Sequence, residues 1–186
     1  MTWIDGDGET VLATTAVPYG QVITEPNAYP YKDDSELEKE MTYSFSGWSL
    51  MSGGKTIKLS SYQATRDYTF YSCFMERNVH TKATDEKYFS ITNNGYLQAI
   101  SGMKYKGKIT IPTTVNGVAV IAIDTGAFDS QTSDDSNKYG LTGIFFMADT
   151  QIKSFGSNSF QNCYDLKYVE YPATLTSIND QAFYNC

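Results

Sequence analysis

Apolar and polar residues alternate along several short stretches of the chain, which predicts β-strands rather than helices. The run Tyr68–Phe74 alternates cleanly, and Tyr43–Trp48 is a second aromatic stretch of the same kind. Turn residues at Asp5–Gly8 and Asn94–Gly95 separate β-prone runs and predict two hairpins. Residues 34–40 are highly charged and fit either a short helix or a charged loop. The pattern therefore indicates a mainly β protein.

The C-terminal part of the chain repeats itself. Residues 152–163 return 23 positions later as residues 175–186, with the ending Ser-Phe-Gln-Asn-Cys matched by Ala-Phe-Tyr-Asn-Cys. An earlier copy without the cysteine spans residues 120–128. A period of roughly 20–29 residues indicates a leucine-rich-type solenoid, in which each unit buries its apolar face against its neighbours. Such a protein is expected to present an extended surface to a partner.

Within each unit the pattern separates core from surface. Alternation in residues 166–172 predicts that Val169 and Tyr171 point inward, while Tyr168 and Glu170 lie on the face of the sheet. Pro172 ends this strand, where a missing N–H does little harm. The apolar positions that build the core are Leu141, Ile144, Phe146, Ile152, Phe155 and Phe160 in one unit, continued by Leu175, Ile178 and Phe183 in the last.

Two places depart from the repeat. The polar segment Gln131–Gly140 is an insertion, and insertions in a solenoid map to surface loops, which can also contact ligands. At Cys186 the sequence stops within the repeat pattern. A solenoid needs a polar cap over its last apolar face, so we expect either further repeats or another chain to cover this uncapped end.

The motifs of residues 88–186 occur in a specific order. They are the Asn94–Gly95 hairpin, an Ile-Pro-x-x-Val-Asn-Gly step at Ile111–Gly117, and units ending in Ala-Phe-x-x-Cys, as at Ala182–Cys186. This part of the chain resembles a BspA-type leucine-rich repeat domain. The resemblance implies an N-terminal hairpin followed by about three repeats. It also implies a role in surface-displayed recognition, through adhesion to host proteins, cells or other microbes.

Residues 1–80 carry a second set of motifs. In chain order these are Asp5–Gly8, Tyr19–Gln21, Pro26, Phe45–Trp48 and Tyr68–Tyr71. The set resembles the B-repeat module of internalin-like bacterial surface proteins and the related Listeria–Bacteroides repeat. The resemblance implies a small β-grasp-like domain that serves as a spacer or interaction unit, joined to the repeats by a linker at residues 81–87.

Charge and hydropathy argue against some classes of partner and location. The net charge of −7 argues against a nucleic-acid partner, which requires a basic surface. No apolar run reaches the roughly 18–20 residues that span a bilayer, so membrane insertion is not expected. Residues Met1–Gly6 do not look like a signal peptide. The chain is then cytosolic, a piece of an exported protein, or a part of a larger particle.

Metal and cofactor chemistry is not indicated. With one histidine, three scattered cysteines and no C-x-x-C, a zinc site is not expected. Cys163 and Cys186 hold equivalent places in adjacent repeats, which fits either a disulfide or, as favoured here, two small buried thiols. The acidic turn that begins at Asp5 looks superficially like a calcium loop, but its twelfth position is Ala16, so a plain turn is favoured.

Catalysis is not indicated either. Any Ser/His or Cys/His pair would have to use His80, and no nucleophile motif accompanies it. Residues 52–56, Ser-Gly-Gly-Lys-Thr, lack the first glycine of a phosphate-binding loop and predict a turn. We therefore expect a non-enzymatic protein.

These observations predict a recognition module on a bacterial cell surface or in the extracellular space, which binds a protein or glycan of a host or microbe. The predicted ligand residues lie on the outer face of the parallel strands: Lys108, Thr110, Phe145, Tyr168 and Glu170. Phe145 is either an exposed aromatic anchor or a residue packed under the Gln131–Gly140 loop. The alternatives are a structural part of a phage virion, as a decoration or tail-appendage protein whose other chains cover the C-terminal end, and an accessory domain of a larger secreted protein.

Overall fold

A computed structural model of the chain describes residues 1–134 and 139–186. Positions 135–138, in the middle of the insertion at Gln131–Gly140, lie outside the described residues. The chain divides into two compact units. The first unit consists of Met1–Glu36 and Tyr43–Glu76, and the second of Leu37–Thr42 and Arg77–Cys186. The described residues are mainly β, as predicted, and their helical content is limited to short 3-10 turns at Leu59–Ser61 and Glu86–Tyr88.

A mixed sheet organises the N-terminal unit. Its strands are β1 (Thr2–Ile4), β2 (Val11–Thr14), β3 (Met41–Ser49) and β4 (Thr69–Asn78), in the order β2-β1-β4-β3. β1 pairs antiparallel with β2 and parallel with β4, where Thr2 lies opposite Thr69 and Ile4 opposite Tyr71. The hairpin predicted at Asp5–Gly8 is confirmed.

Carboxylates hold the turn between β1 and β2. Asp7 Oδ1 accepts hydrogen bonds from the backbone N–H of Glu9 at 2.9 Å and of Thr10 at 2.8 Å. Asp5 is buried, and its Oδ1 accepts from Tyr31 N at 2.6 Å. These acidic side chains therefore bind the backbone of their own unit, as expected of a plain turn. Residues 34–40 consist of short turns and a bend without a helix, so this segment is the charged loop of the two predictions.

Aromatic rings form the core of the first unit. Trp3 is fully buried, and its ring centroid lies 4.5 Å from that of Phe70 in a stacked arrangement and 4.8 Å from that of Trp48 in an edge-to-face arrangement. Ile23 and Ala64 complete the buried cluster. Both tryptophans of the chain lie in this one cluster.

Ten strands follow in the described part of the second unit. They are β5 (Phe89–Ile91), β6 (Tyr96–Ala99), β7 (Gly107–Ile111), β8 (Thr114–Val115), β9 (Val118–Ala119), β10 (Ala122–Ile123), β11 (Leu141–Phe146), β12 (Ser154–Phe155), β13 (Tyr168–Val169) and β14 (Ser177–Ile178). β5 and β6 pair antiparallel around Gly95, whose φ of +81° suits glycine, so the second predicted hairpin is also confirmed. Residues 81–87, predicted as a linker, belong to this unit.

The repeats stack through parallel strands. In the sheet ordered β14-β12-β10-β6-β5, the four repeat strands pair in parallel with equivalent positions opposite one another. Leu97, Ile123, Phe155 and Ile178 form one such row. A second parallel sheet has the order β13-β11-β7. Each repeat thus adds one strand to a sheet, and the 23-residue period is the spacing between the paired residues of β12 and β14.

A column of phenylalanine rings connects the repeats. Phe128 stacks on Phe160 at 5.5 Å, and Phe160 stacks on Phe183 at 5.2 Å, with the ring planes within 8° of parallel. The core predicted for the preceding unit is confirmed at every position: each side chain is at most 2 % exposed, from Leu141 to Phe160.

The prediction is wrong for part of the last unit. Ile178 is 46 % exposed, and Leu175 and Phe183 are only partly buried. Ile178 belongs to β14, which is the edge strand of its sheet and has a neighbouring strand on one side only. Its side chain therefore lacks the second stacking partner that buries Phe155.

The cysteines are free thiols rather than a disulfide. Cys163 Sγ donates to the carbonyl of Phe128 at 3.0 Å, and Cys186 Sγ donates to the carbonyl of Phe160 at the same distance. Cys163 is fully buried, and burial raises the pKa of its thiol to about 12. Cys186 repeats the hydrogen bond but is exposed, so the prediction of two buried thiols holds only for Cys163.

Candidate recognition site in the repeat unit

The sheet β7-β11-β13 brings the predicted ligand residues close together. Lys108 lies opposite Gly143, which lies opposite Tyr168, and Thr110 lies opposite Phe145. Glu170 follows directly after β13, and its backbone N–H donates to Ile144 O at 2.9 Å. Alternation along parallel strands therefore placed these side chains on a common face, as the pattern predicted.

Most of that face is covered by the chain itself, which corrects the prediction that it is exposed. Lys108, Thr110 and Phe145 are 8 %, 0 % and 3 % exposed. Thr110 Oγ1 donates to Val79 O at 2.7 Å, and Thr110 N donates to Thr84 Oγ1 at 2.9 Å. Residues 79–84 thus hydrogen-bond to this part of the sheet from a position distant in sequence.

Phe145 packs against a histidine. Its ring centroid lies 5.9 Å from that of His80, in an edge-to-face arrangement. His80 Nδ1 also lies 3.4 Å from Phe146 O and 3.9 Å from Glu170 Oε1. Glu170 Oε2 in turn accepts from Phe146 N at 2.8 Å. The only histidine of the chain therefore sits in a packing contact, and Phe145 is a covered residue rather than an exposed anchor.

Lys108 is buried and joins two segments of the chain that are distant in sequence. Its ammonium donates to the carbonyl oxygens of Glu38 at 2.9 Å and Met41 at 2.7 Å. A buried ammonium requires such acceptors, since desolvation without them is costly. Lys108 therefore ties the segment around residues 38–41 to β7.

We predict that Lys108→Met lowers the free energy of unfolding by about 1–3 kcal/mol, because it leaves these two carbonyls without their donor. Urea unfolding followed by far-ultraviolet circular dichroism measures the change. Lys153→Met, at an exposed lysine of the same unit, is the matched control and should change stability by at most about 0.5 kcal/mol. Equal effects of the two substitutions would contradict the role assigned to Lys108.

Four tyrosines between residues 164 and 184 are exposed. Tyr168 is 38 % exposed, with Lys39 Nζ 5.1 Å from its ring centroid. Tyr171, predicted to point inward, is 60 % exposed, because β13 ends at Val169 and the alternation does not continue beyond it. Tyr164 and Tyr184 are 63 % and 53 % exposed. Of these four, only Tyr168 was among the predicted ligand residues, although the sequence shows the density of tyrosines in residues 164–184.

The described residues contain no group of three or more His, Cys, Asp or Glu side chains that could hold a metal ion. Residues 51–54 form a turn, closed by a hydrogen bond from Gly54 N to Met51 O at 3.0 Å, as predicted from the missing glycine. Within the described ranges there is also no helix with the length and apolar character needed to cross a bilayer.

Stacked parallel strands with buried apolar rows define a leucine-rich-type repeat protein. The profile of the BspA type leucine rich repeat region matches residues 57–186 in six copies, and the chain belongs to this family. Repeats of this family commonly mediate protein–protein interaction. None of the curated proteins matches the chain.

One solved structure is similar to part of the chain. It is the crystal structure of a T. pallidum leucine rich repeat protein, with 21 % sequence identity and a TM-score of 0.43. The match covers 56 % of this chain and 46 % of that protein, so the chain corresponds to less than half of its length.

Proposed function

We propose that this chain is a non-enzymatic recognition module, displayed on a bacterial cell surface, that binds a partner protein through exposed tyrosines of its C-terminal repeats. The observation that carries the proposal is the set of four exposed rings between residues 164 and 184. Tyrosine is enriched in binding hot spots because a large, rigid ring contributes contact area at low entropic cost. Of the five predicted ligand residues, Tyr168 and Glu170 remain candidates for direct contact.

We also propose a β-grasp-like fold for the first unit and a solenoid for the repeats. A β-grasp-like first unit is supported by the sheet order β2-β1-β4-β3 and by the parallel pairing of β1 with β4. A solenoid is supported by the parallel rows and the phenylalanine column. In this arrangement the first unit acts as a spacer or a second interaction unit, while the repeats supply the protein-binding surface.

The test is binding of the immobilised full chain to a panel of purified extracellular host proteins, measured by surface plasmon resonance. We expect saturable binding to at least one panel member, and at least tenfold weaker binding by Tyr168→Ala/Tyr171→Ala. Tyr19→Ala is the matched control, since Tyr19 is 82 % exposed but lies in the first unit, and its affinity should be unchanged.

Two results would contradict the proposal. If the double variant binds as well as the parent chain, Tyr168 and Tyr171 are not part of the binding site. If the parent chain binds no panel member, the proposed adhesive function is wrong. Fractionation of the native source provides the independent check. The proposal requires the chain in the cell-envelope fraction, whereas sedimentation with phage-like particles would make it a virion component instead.

A further inference from the structure

The first unit contains a small polar cleft beside strand β4. Its volume is about 240 Å³, and its lining includes Asp5, Lys32, Ser52, Ser72 and Cys73. β1 pairs with β4 only as far as Ile4 and Tyr71, after which β1 leads into the turn at residues 5–10. The cleft therefore lies where β4 continues past its last pair with β1.

Two turns enclose the cleft. The turn after β1 contributes Gly8 and the turn after β3 contributes Ser52. A Cβ atom at Gly8 would lie 3.3 Å from Ser52 Oγ, so the turns approach one another closely at this point. An extended peptide lying along β4 would need a groove that stays open there. Because the two turns close this end of the cleft, the cleft fits a compact ligand better than an extended peptide.

Ser72 carries an unused hydrogen-bonding group. Its Oγ is buried, and no other described residue hydrogen-bonds to it. A hydroxyl is both a donor and an acceptor, and a buried one is unfavourable without a partner. The neighbouring thiol differs, because Cys73 Sγ donates to Gly54 O at 3.5 Å. Ser72 lines the cleft, so a rotation of its side chain would bring the hydroxyl to a ligand hydroxyl that supplies the missing partner.

The two charges of the lining have opposite signs. Asp5 contributes a carboxylate, which disfavours an anionic ligand. Lys32 contributes an ammonium, whose Nζ lies 4.2 Å from the ring centroid of Tyr43, and it disfavours a cation. Together they offer both acceptors and donors at a net charge near zero. This combination fits a neutral ligand with several hydroxyl groups.

The volume of the cleft limits the size of the ligand that it can bind. The cleft is small, at about 240 Å³. It is smaller than the roughly 300–1,000 Å³ of typical sites for drug-sized ligands. One six-membered sugar ring with its hydroxyls is of the right size. We propose that this cleft binds the terminal neutral pyranose of a glycan, which is a second site, independent of the proposed protein-binding tyrosines.

The experiment titrates the full ¹⁵N-labelled chain with methyl glycosides of glucose, galactose, mannose and N-acetylglucosamine. The amide signals of Gly53 and Gly54, which line the cleft, fall in the sparsely populated glycine region of the spectrum and report binding. We expect saturable shifts with at least one glycoside and a dissociation constant on the order of 1 mM. Acetate, lysine amide and a tripeptide serve as anionic, cationic and extended competitors.

The Ser72→Ala variant distinguishes a ligand-binding role of Ser72 from a purely structural role. It should weaken sugar binding by about two- to tenfold, the range for one hydrogen bond, while thermal stability stays the same or rises because the unpaired hydroxyl is gone. Ser60→Ala, at an exposed serine of the same unit, should leave affinity unchanged. The Tyr168→Ala/Tyr171→Ala variant should bind sugar normally, which separates this proposal from the proposed function.

Three outcomes overturn the proposal. They are no response to any of the four glycosides, stronger shifts with acetate, lysine amide or the tripeptide, and unchanged sugar affinity in Ser72→Ala.

Discussion

Phe160→Ala is expected to lower the free energy of unfolding by about 3–5 kcal/mol, the range for truncating a fully buried aromatic side chain. Phe160 is 0 % exposed and stands in the middle of the phenylalanine column, between Phe128 and Phe183. It also contacts Phe155 edge to face, at 5.6 Å between centroids. Its removal leaves a cavity bounded by three rings that belong to different repeats, so the stacking of the repeats is weakened directly.

Urea unfolding followed by far-ultraviolet circular dichroism measures this loss, with the midpoint and the slope compared between variants. Tyr184→Ala is the matched control in the last repeat, because Tyr184 is 53 % exposed, and it should change stability by at most about 0.5 kcal/mol. Phe183→Ala should fall between the two, since Phe183 is only partly buried. A Phe160→Ala midpoint equal to that of Tyr184→Ala would contradict the assignment of Phe160 to the core.

Trp3→Ala is the second large expected effect, again about 3–5 kcal/mol. The substitution removes the stacked contact with Phe70, the edge contact with Trp48 and a hydrogen bond from Trp3 Nε1 to Thr15 Oγ1 at 2.9 Å. The indole therefore connects three strands of the first unit, since Trp3, Trp48 and Phe70 lie on β1, β3 and β4.

Tryptophan fluorescence gives a probe confined to this core, because Trp48 is the single remaining indole in the variant. We expect its urea-induced transition to move to a clearly lower midpoint than in the parent chain. Tyr19→Ala, at a residue 82 % exposed in the same unit, should leave the midpoint unchanged within about 0.5 kcal/mol. A transition of Trp48 that does not move would show that Trp3 contributes little to the core.

The candidate sites were less predictable than the core. Lys108, Thr110 and Phe145 were assigned to the correct face of their strands but not to the correct environment. The alternation of apolar and polar residues predicts which side chains share a face of the sheet. It does not predict whether a segment distant in sequence packs over that face. Residues 79–84 and the segment around residue 40 cover this face through hydrogen bonds that join positions 26 to 70 residues apart.

The cleft of the first unit had no sequence signal of its own. Its lining comes from the turn after β1, the turn after β3, the strand β4 and Lys32. Glycines and serines at turns are common for conformational reasons alone, so their presence does not indicate a site. The unpartnered hydroxyl of Ser72 is likewise a property of its surroundings, because any serine on an alternating strand looks the same in sequence.

The amino-acid sequence by itself determined the mainly β class, the two hairpins and the buried rows of the repeats from Leu141 to Phe160. These features follow from local turn chemistry and from the period of the apolar positions, both of which can be read directly from the sequence. Only the tertiary structure decided that Lys108 and Phe145 are covered, that Ile178 and Tyr171 are exposed, and that a polar cleft exists beside β4. Exposure is the result of which distant segments meet, and no local pattern contains that information.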